Sequence, residues 1–592
     1  MDSYTLSFII AFVVGLILTI IFCKSARRRF LAFVLYVVVF YMLFYNFNEG
    51  VLGGFFPSFH LYAGSAYTCF LLLFLFSFEI TKKTQNPKNG WKVNIFFCVA
   101  QFLCVIFTQV VPWAIDTFPL SNIDAILFTV FARANEGAEN FVLESFVDKA
   151  LLPAIWIYGL LLCVQVFLSI VLHKIEKNIS FHLWKIRYTI CTGSFAFVFS
   201  RIQKCFLVFI IVICTILAFV VPNILMSAPF KALIQRPVDS EMYRVDYVHP
   251  DSAHIEVPES TKNLIVILLE SMETNFAQHT PELNALASKA VNFAPGGESV
   301  AGTSWTIAAI TGKLCGIPLN MPMRIGEYLG KLPTYLPNAK CMMNILADKG
   351  YSQVYIQGSS GDFTQKRDFW KVHGDVAVHD IEYYTQMGRI PDGYKVFWGF
   401  EDRKMYQFAK EEIDSLARMG KPFAVYMLTV DTHQPNGYVD DSCAVQVENI
   451  EGRLPKALRC ASIMLDSFVS WASEQPWYEN TVISVMGDHS MQSLSKKANV
   501  PLTDSLYWVN FMFNSAIERP VKERAYSSLD MFPTLLESMG FTIEGHAMGL
   551  GRSLFSEEPT LIEKYGRNTL DSLLRVRSIQ YDYFLMGEKQ GN

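Results

Sequence analysis

The first 225 residues carry a succession of apolar runs, and these decide most of what the chain can fold into. Residues 4–23, 30–47, 61–80, 93–115, 150–173 and 205–225 are dominated by Phe, Leu, Ile and Val. Each is about the 20 residues a helix needs to cross a hydrocarbon core of ~30 Å. The first run reads as a retained span rather than a cleaved leader. Its basic cluster, Lys24 with Arg27, Arg28 and Arg29, follows the apolar stretch instead of preceding it.

Charge in the connectors orients these spans. Lysine and arginine concentrate in residues 24–29, 82–92 and 174–187, with Arg201 and Lys204 just before the last run, whereas residues 46–60 and 116–149 are acidic or nearly neutral. Basic connectors stay in the cytoplasm. Six spans then place both termini outside, and the last basic connector alone places everything after residue 225 there. Residues 188–200 are apolar enough to lie at the interface or to re-enter. The expected division is a membrane domain over 1–225, a linker over 226–262 and an outward-facing domain over 263–592.

Composition agrees. Hydrophobic residues make up 52% and charged residues 18%, too apolar for one soluble domain. A net charge of -4 leaves no basic stripe, so nucleic acid is not an expected partner. Eight of the twelve cysteines fall in or beside the apolar runs, where cysteine serves as a small apolar residue. Only Cys315, Cys341, Cys443 and Cys460 lie beyond, and four cysteines allow three pairings. An oxidising compartment permits bonds, and the short-range closures Cys315–Cys341 and Cys443–Cys460 are the expected pairs, against four free buried thiols. None has zinc-finger spacing.

From Asn263 onward, apolar runs alternate with helical patterns. Strands are expected over 264–269, 352–356, 423–428 and 482–486, and helices over 281–289, 340–349, 403–419 and 457–473. This alternation predicts an α/β domain with a mainly parallel sheet and helices on both faces. Functional sites in such sheets collect beyond the carboxyl ends of the strands. Glu270, His433 and the pair Asp488–His489 all fall there.

Each of these residues has a plainer reading. Glu270 alone would serve the turn after its strand, and Glu273 reads as a solvated helix residue. An adjacent acid and imidazole reach one divalent ion where the chain turns, and Gly487 permits the turn. Oxygen-plus-imidazole ligation suits manganese, zinc or magnesium. Thr303, in the turn Gly302-Thr303-Ser304-Trp305-Thr306, would ordinarily cap the helix that follows. The sharper reading is a nucleophile, whose weak hydroxyl needs activation of the kind a bound metal gives. His433 would protonate a leaving oxygen or bind a phosphate oxygen.

In combination and in this order, these blocks resemble the membrane-anchored phosphoglycerol transferases of the alkaline phosphatase/sulfatase superfamily, which include lipoteichoic acid synthases and phosphoglycerol transferase I. The segments Cys315-Gly316-Ile317-Pro318-Leu319, Thr429–Pro435 and Gly549–Ser553 add to the likeness. The resemblance implies one divalent ion, most often manganese, held by Glu270, Thr303, Asp488 and His489, with Thr303 as nucleophile. His433, Trp305, Lys366, Arg367 and His373 would contact substrate. For the last three, a solvated basic helix face is the alternative.

The implied reaction moves a phosphoglycerol group from phosphatidylglycerol to a glycan or polyglycerolphosphate acceptor through a threonine adduct. It would run at the outer face of a bacterial cytoplasmic membrane. A sulfatase Cys/Ser-x-Pro-x-Arg nucleophile motif is missing, which argues against sulfate ester hydrolysis. The chain also continues less far past the catalytic blocks than phosphoglycerol transferase I does. The rival readings are a phosphoethanolamine transferase acting on lipid A or a glycan, a hydrolase, and an inactive membrane scaffold or sensor. The oligomeric state has no signature in the sequence.

Overall fold

Strand β1 (Asn263–Leu269) is buried along its whole length, as only the centre of a sheet covered on both faces can be. The computed structural model describes residues 78–82, 91–117, 146–174, 177–183, 186–190, 194–207, 210, 237–320, 335–433, 436–491, 506–518, 520–521 and 524–586. The chain divides into two compact units, Met1–Thr117 with Phe141–Ile224, and Phe118–Asn140 with Leu225–Asn592.

In the second unit, β1 joins β2 (Val291–Asn292), β3 (Ser352–Gln357), β4 (Ala377–His379), β5 (Phe423–Leu428), β6 (Thr481–Gly487) and β7 (Asn510–Phe513) in the order β2-β7-β6-β1-β5-β3-β4. The five strands from β6 to β4 run parallel. At the other edge β7 runs antiparallel to both its neighbours, β6 and β2, so the sheet is mixed.

Alternate β1 side chains serve two cores. Leu264, Val266 and Leu268 pack with helix α1 (Thr306–Cys315) and with Leu535 and Leu536. Ile265, Ile267 and Leu269 pack with Met405, Ile413, Leu458 and Leu465 from the helices Asp402–Arg418 and Arg453–Ser473. Each such side chain contributes ~1.5–3 kcal/mol by leaving water. The result is the three-layer arrangement expected, with strand limits within one residue of those read from the sequence. The helix expected over 340–349 is trimmed to Met342–Asp348, with Cys341 as its N-cap.

Register decides where the site lies. Leu269 is level with Gly487, and Leu428 with both Leu268 and Gln357. Four carboxyl ends therefore form one row. Both expected disulfides, Cys315–Cys341 and Cys443–Cys460, are formed. The first ties the end of α1 to the N-cap of the next helix.

In the first unit, helices Trp91–Thr117 and Leu152–His173 coincide with two of the expected spans. Among the described residues one helix, Val147–His173, is long and apolar enough to cross a membrane by length and composition. Gln165 Nε2 donates to Gln101 Oε1 at 2.9 Å between these helices, the kind of polar contact that holds apolar helices together. The expected spans over 4–23 and 30–47, and most of 61–80 and 205–225, lie outside the described residues.

Two basic connectors differ from expectation. Phe78–Lys82, Lys177–Leu183 and Ile186–Ile190 form an antiparallel three-stranded sheet. The alternation Ile179, Phe181, Leu183 is a strand period that their charge obscured.

Candidate active site

The turn after β1 is tight enough to hold Ser271 at a φ of +50°, a strained conformation that non-glycine residues seldom adopt. It is fixed from the neighbouring strand. Asp488 Oδ1, just past β6, accepts the amides of Ser271 and His489, both at 2.7 Å. The Ser271 hydroxyl donates to Glu270 Oε1 at 2.6 Å. On the β5 side, the Glu270 amide donates to Thr429 Oγ1 and the Thr432 hydroxyl to the Glu270 carbonyl. Neighbouring strand ends thus hold Glu270 and Asp488 face to face.

Glu270, Asp488 and His489 are all buried, and each offers a ligand atom within 4.8 Å of the others; among the described residues they are the one such group. Three observations fit a divalent cation. Asp488 Oδ2 is buried and accepts no hydrogen bond, although its sister oxygen takes two. His489 Nδ1 lies 3.0 Å from the Ser490 carbonyl, which can only accept, so Nδ1 carries the proton. Nε2 faces Asp488 Oδ2 at 3.4 Å, so the ring nitrogen not engaged by the backbone is the one turned toward the carboxylates, as in a histidine ligand. Finally, burial and the nearby Asp488 push the Glu270 pKa up to about 8. A cation would let both acids ionise. Manganese, zinc and magnesium all suit this donor set.

Thr303 precedes α1 and is fully buried. It does not cap that helix: Trp305 is the N-cap, and no side chain makes a capping hydrogen bond. The Thr303 hydroxyl instead donates to the Val300 carbonyl and accepts the Val300 amide, both at 2.9 Å. Behind it, Gly312 is so close that a Cβ there would sit 3.0 Å from Thr303 Cγ2. The next residue, Lys313, reaches across to the ligand turn, donating to the Asp488 carbonyl at 2.8 Å and to Ser528 Oγ at 3.0 Å. The Thr303 hydroxyl is thus engaged by Val300, and the link from this segment to the ligand turn is made by Lys313 of α1 on the Asp488 backbone carbonyl.

The basic segment is not a solvated face. Lys366 is 3% exposed; its ammonium donates to the Phe363 carbonyl at 2.8 Å. Burial lowers its pKa to about 8 against the pull of Glu270, Asp380 and Asp362. Arg367 is held by Asp362, Asp380 and Glu382. His373 sits in the interior, 1% exposed, with Nε2 3.1 Å from the Tyr335 carbonyl and its ring on Phe369. That placement leaves it no face toward a headgroup. His433 lies in the loop after β5 with its ring 4.4 Å from that of Trp398. Trp305 is half-buried against the core beside α1.

Residues 262–541 match the family model described as Sulfatase. That part of the chain is sulfatase-like. Phosphoglycerol transferase I of Xanthomonas campestris pv. campestris (strain B100) is 30% identical over 340 residues, 55% of this chain and 46% of that protein. Phosphoglycerol transferase I of Escherichia coli O127:H6 (strain E2348/69 / EPEC) is 29% identical over 311 residues, 51% and 40% of the two chains. The chain thus spans less than half the length of these curated relatives. Among solved structures, lipooligosaccharide phosphoethanolamine transferase A (EptA) from Neisseria meningitidis aligns over 94% of this chain and 99% of its own, with 15% identity and a TM-score of 0.43. Lipoteichoic acid synthase LtaP from Listeria monocytogenes covers 53% of this chain and 80% of its own, with 16% identity and a TM-score of 0.41.

Within the sulfatase-like domain three features differ from expectation. Gly487 ends β6 at an ordinary φ, and what requires glycine is proximity: a Cβ would lie 2.2 Å from the Met272 carbonyl oxygen. Glu273 is buried and accepts the Met491 amide, holding the chain after His489. Lys313 is the residue that sequence reasoning missed. It is fully buried with its ammonium 3.7 Å from the Trp508 ring centroid, and burial lowers its pKa to about 7. A lone lysine in the apolar stretch 307–314 was the available signal.

Proposed function

We propose that this protein transfers a phosphoglycerol group from phosphatidylglycerol to a glycan or polyglycerolphosphate acceptor, with Thr303 as nucleophile. The observation that carries the reading is the buried trio Glu270, Asp488 and His489, linked through Lys313 to the helix that Thr303 precedes. The curated relatives named phosphoglycerol transferase I support the group transferred. In this reading residues 1–225 are a six-span membrane domain of a bacterial cytoplasmic membrane, 226–262 a linker, and 263–592 an outward-facing catalytic domain. Confinement to the bilayer keeps the pocket at a high effective concentration of lipid donor.

A divalent cation, manganese first among candidates, would be held by Glu270, Asp488, His489 and Thr303, and would supply positive charge to activate the hydroxyl and screen the phosphate. The protein's own groups do the rest. Thr303, its hydroxyl aimed by the Val300 amide and carbonyl, loses its proton to water as its oxygen bonds to phosphorus and the bond to the diacylglycerol oxygen breaks. His433 gives that leaving oxygen a proton. The Lys366 ammonium balances charge on the phosphate. An acceptor hydroxyl then attacks the glycerophospho-threonine and passes its proton to His433, the Thr303–phosphorus bond breaks, and the threonine oxygen takes a proton from water.

Full-length protein in detergent, supplied with phosphatidylglycerol or phosphatidylethanolamine labelled in the headgroup, tests this. Diacylglycerol release from the first donor and a glycerophosphate mass on Thr303 are expected, and Thr303→Ala should abolish both. Turnover of phosphatidylethanolamine alone would assign the protein to phosphoethanolamine transfer. Full activity in Thr303→Ala would refute the nucleophile.

A further inference from the structure

The segment Val300–Thr303 is gripped by residues that lie beyond the sulfatase match, which ends at 541. Helix α2 (Arg567–Leu574) and helix α3 (Ile579–Met586) supply the grip. Asp571 Oδ1 accepts the Ala301 amide at 2.7 Å. Arg567 donates to the Ser299 carbonyl, pairs with Glu298 at 3.2 Å and also pairs with Asp571. On the far side of the turn, the Leu319 amide donates to the Gly302 carbonyl at 2.8 Å. Tyr581 accepts the Asn320 amide at 2.6 Å, and the Asn320 side chain donates to the Leu574 carbonyl at 2.6 Å. Gly302, at a φ of +75°, has no room for a side chain against Asn320 and Pro318.

These contacts converge on one short unit. The Ala301 amide that Asp571 holds lies next in the chain to Val300, whose amide and carbonyl hold the Thr303 hydroxyl. A bound Ala301 amide fixes the peptide plane between Val300 and Ala301, and with it the direction of the Val300 carbonyl. Released, that carbonyl would be free to swing and take the Thr303 hydroxyl with it. We infer that Asp571 is a positioning residue for group transfer: by holding the Ala301 amide, the C-terminal helix α2 sets the orientation from which Thr303 reaches phosphorus. This rests on Thr303 being the nucleophile. It adds that the catalytic geometry is completed by a segment outside the matched domain.

The experiment compares full-length wild type, Asp571→Ala, Asp571→Asn and Thr303→Ala in detergent, using headgroup-labelled phosphatidylglycerol as the probe. Measured are kcat, KM, the rate of adduct formation on Thr303, and Tm. Asp571→Ala should lower kcat and adduct formation by about 10- to 100-fold, as a misplacement of up to an ångström does, with KM for the lipid unchanged. Asp571→Asn keeps an oxygen that can accept the Ala301 amide and loses only the ion pair with Arg567, so it should stay within about threefold of wild type. A kcat for Asp571→Ala within twofold of wild type overturns the proposal, as does a loss that only tracks the folded fraction. If Asp571→Ala does not fold, Asp571→Asn decides alone: intact folding with a kcat loss of tenfold or more overturns it, and a retained kcat supports it. Activity in Thr303→Ala would instead sink the nucleophile reading, whatever the Asp571 variants do.

Discussion

Gly312→Ala separates packing from catalysis at the proposed nucleophile. In an ordinary helix interior the change gains ~0.5–1 kcal/mol, because alanine loses less backbone freedom on folding. Here the added methyl would lie 3.0 Å from Thr303 Cγ2 and 3.1 Å from Ser528 Cβ, where ordinary contact is 3.4–4 Å. Both neighbours are fully buried, so the shortfall of roughly half an ångström must be met by moving Thr303 or Ser528. Overpacking of this kind costs ~1–3 kcal/mol, and the propensity gain offsets part of it. The expected net destabilisation is therefore ~0–2.5 kcal/mol. The effect on rate should be of similar size. If an ångström of misplacement costs a hundredfold, half of that costs about tenfold, or ~1.4 kcal/mol of barrier. Diacylglycerol release from labelled phosphatidylglycerol, measured beside Tm on the same preparation, reads both. A kcat within twofold of wild type at unchanged Tm would show that the hydroxyl's position does not limit the reaction, and the reasoning would fail.

Two further outcomes are expected. Chelation should lower the Tm of the wild type, by an amount equivalent to ~2.7 kcal/mol if the cation had been present at a hundred times its Kd. Glu270→Gln should remove most of that response, and an undiminished one would place the cation elsewhere. The second concerns His373, whose pKa burial lowers to about 4 from an ordinary ~6.5. Below pH ~6.5 the unfolded chain binds a proton that the folded chain refuses, so this contribution is complete above ~6.5 and lost as pH falls toward about 4. The total is on the order of 3 kcal/mol. His373→Gln should therefore lose less Tm than wild type between pH 7.5 and 5, and parallel curves would rule this out.

The strands and the carboxylate cluster were legible because both are written locally. A strand buried on both faces must be an almost wholly apolar run, as residues 264–269 are and as 482–486 are apart from Ser484, and the first charged residue past its end marks the sheet edge. The rest depends on approach between distant segments. Gly487 looks like a turn residue, since sequence cannot show the Met272 carbonyl lying against it. Glu273 looks solvated, since its partner, Met491, is 218 residues away. The grip of Asp571 on Ala301 spans 270 residues and leaves no trace in any window of the chain. Lys366 reads as surface charge for a related reason: the backbone turn at Thr364 and Gln365, both at positive φ, folds it inward.

Val238 exchanges backbone hydrogen bonds with Arg577 and Ile579, and the Ser240 amide donates to Gln580. Upstream and downstream flanks of the sulfatase-like domain are thus stitched to each other. A truncated protein begun at residue 262 would strip that seam and unsettle the helix that grips Ala301. Soluble versions for enzymology should start ahead of Pro237 and run through Met586, and a bulky fusion placed tight against α3 risks silencing an otherwise well-folded enzyme.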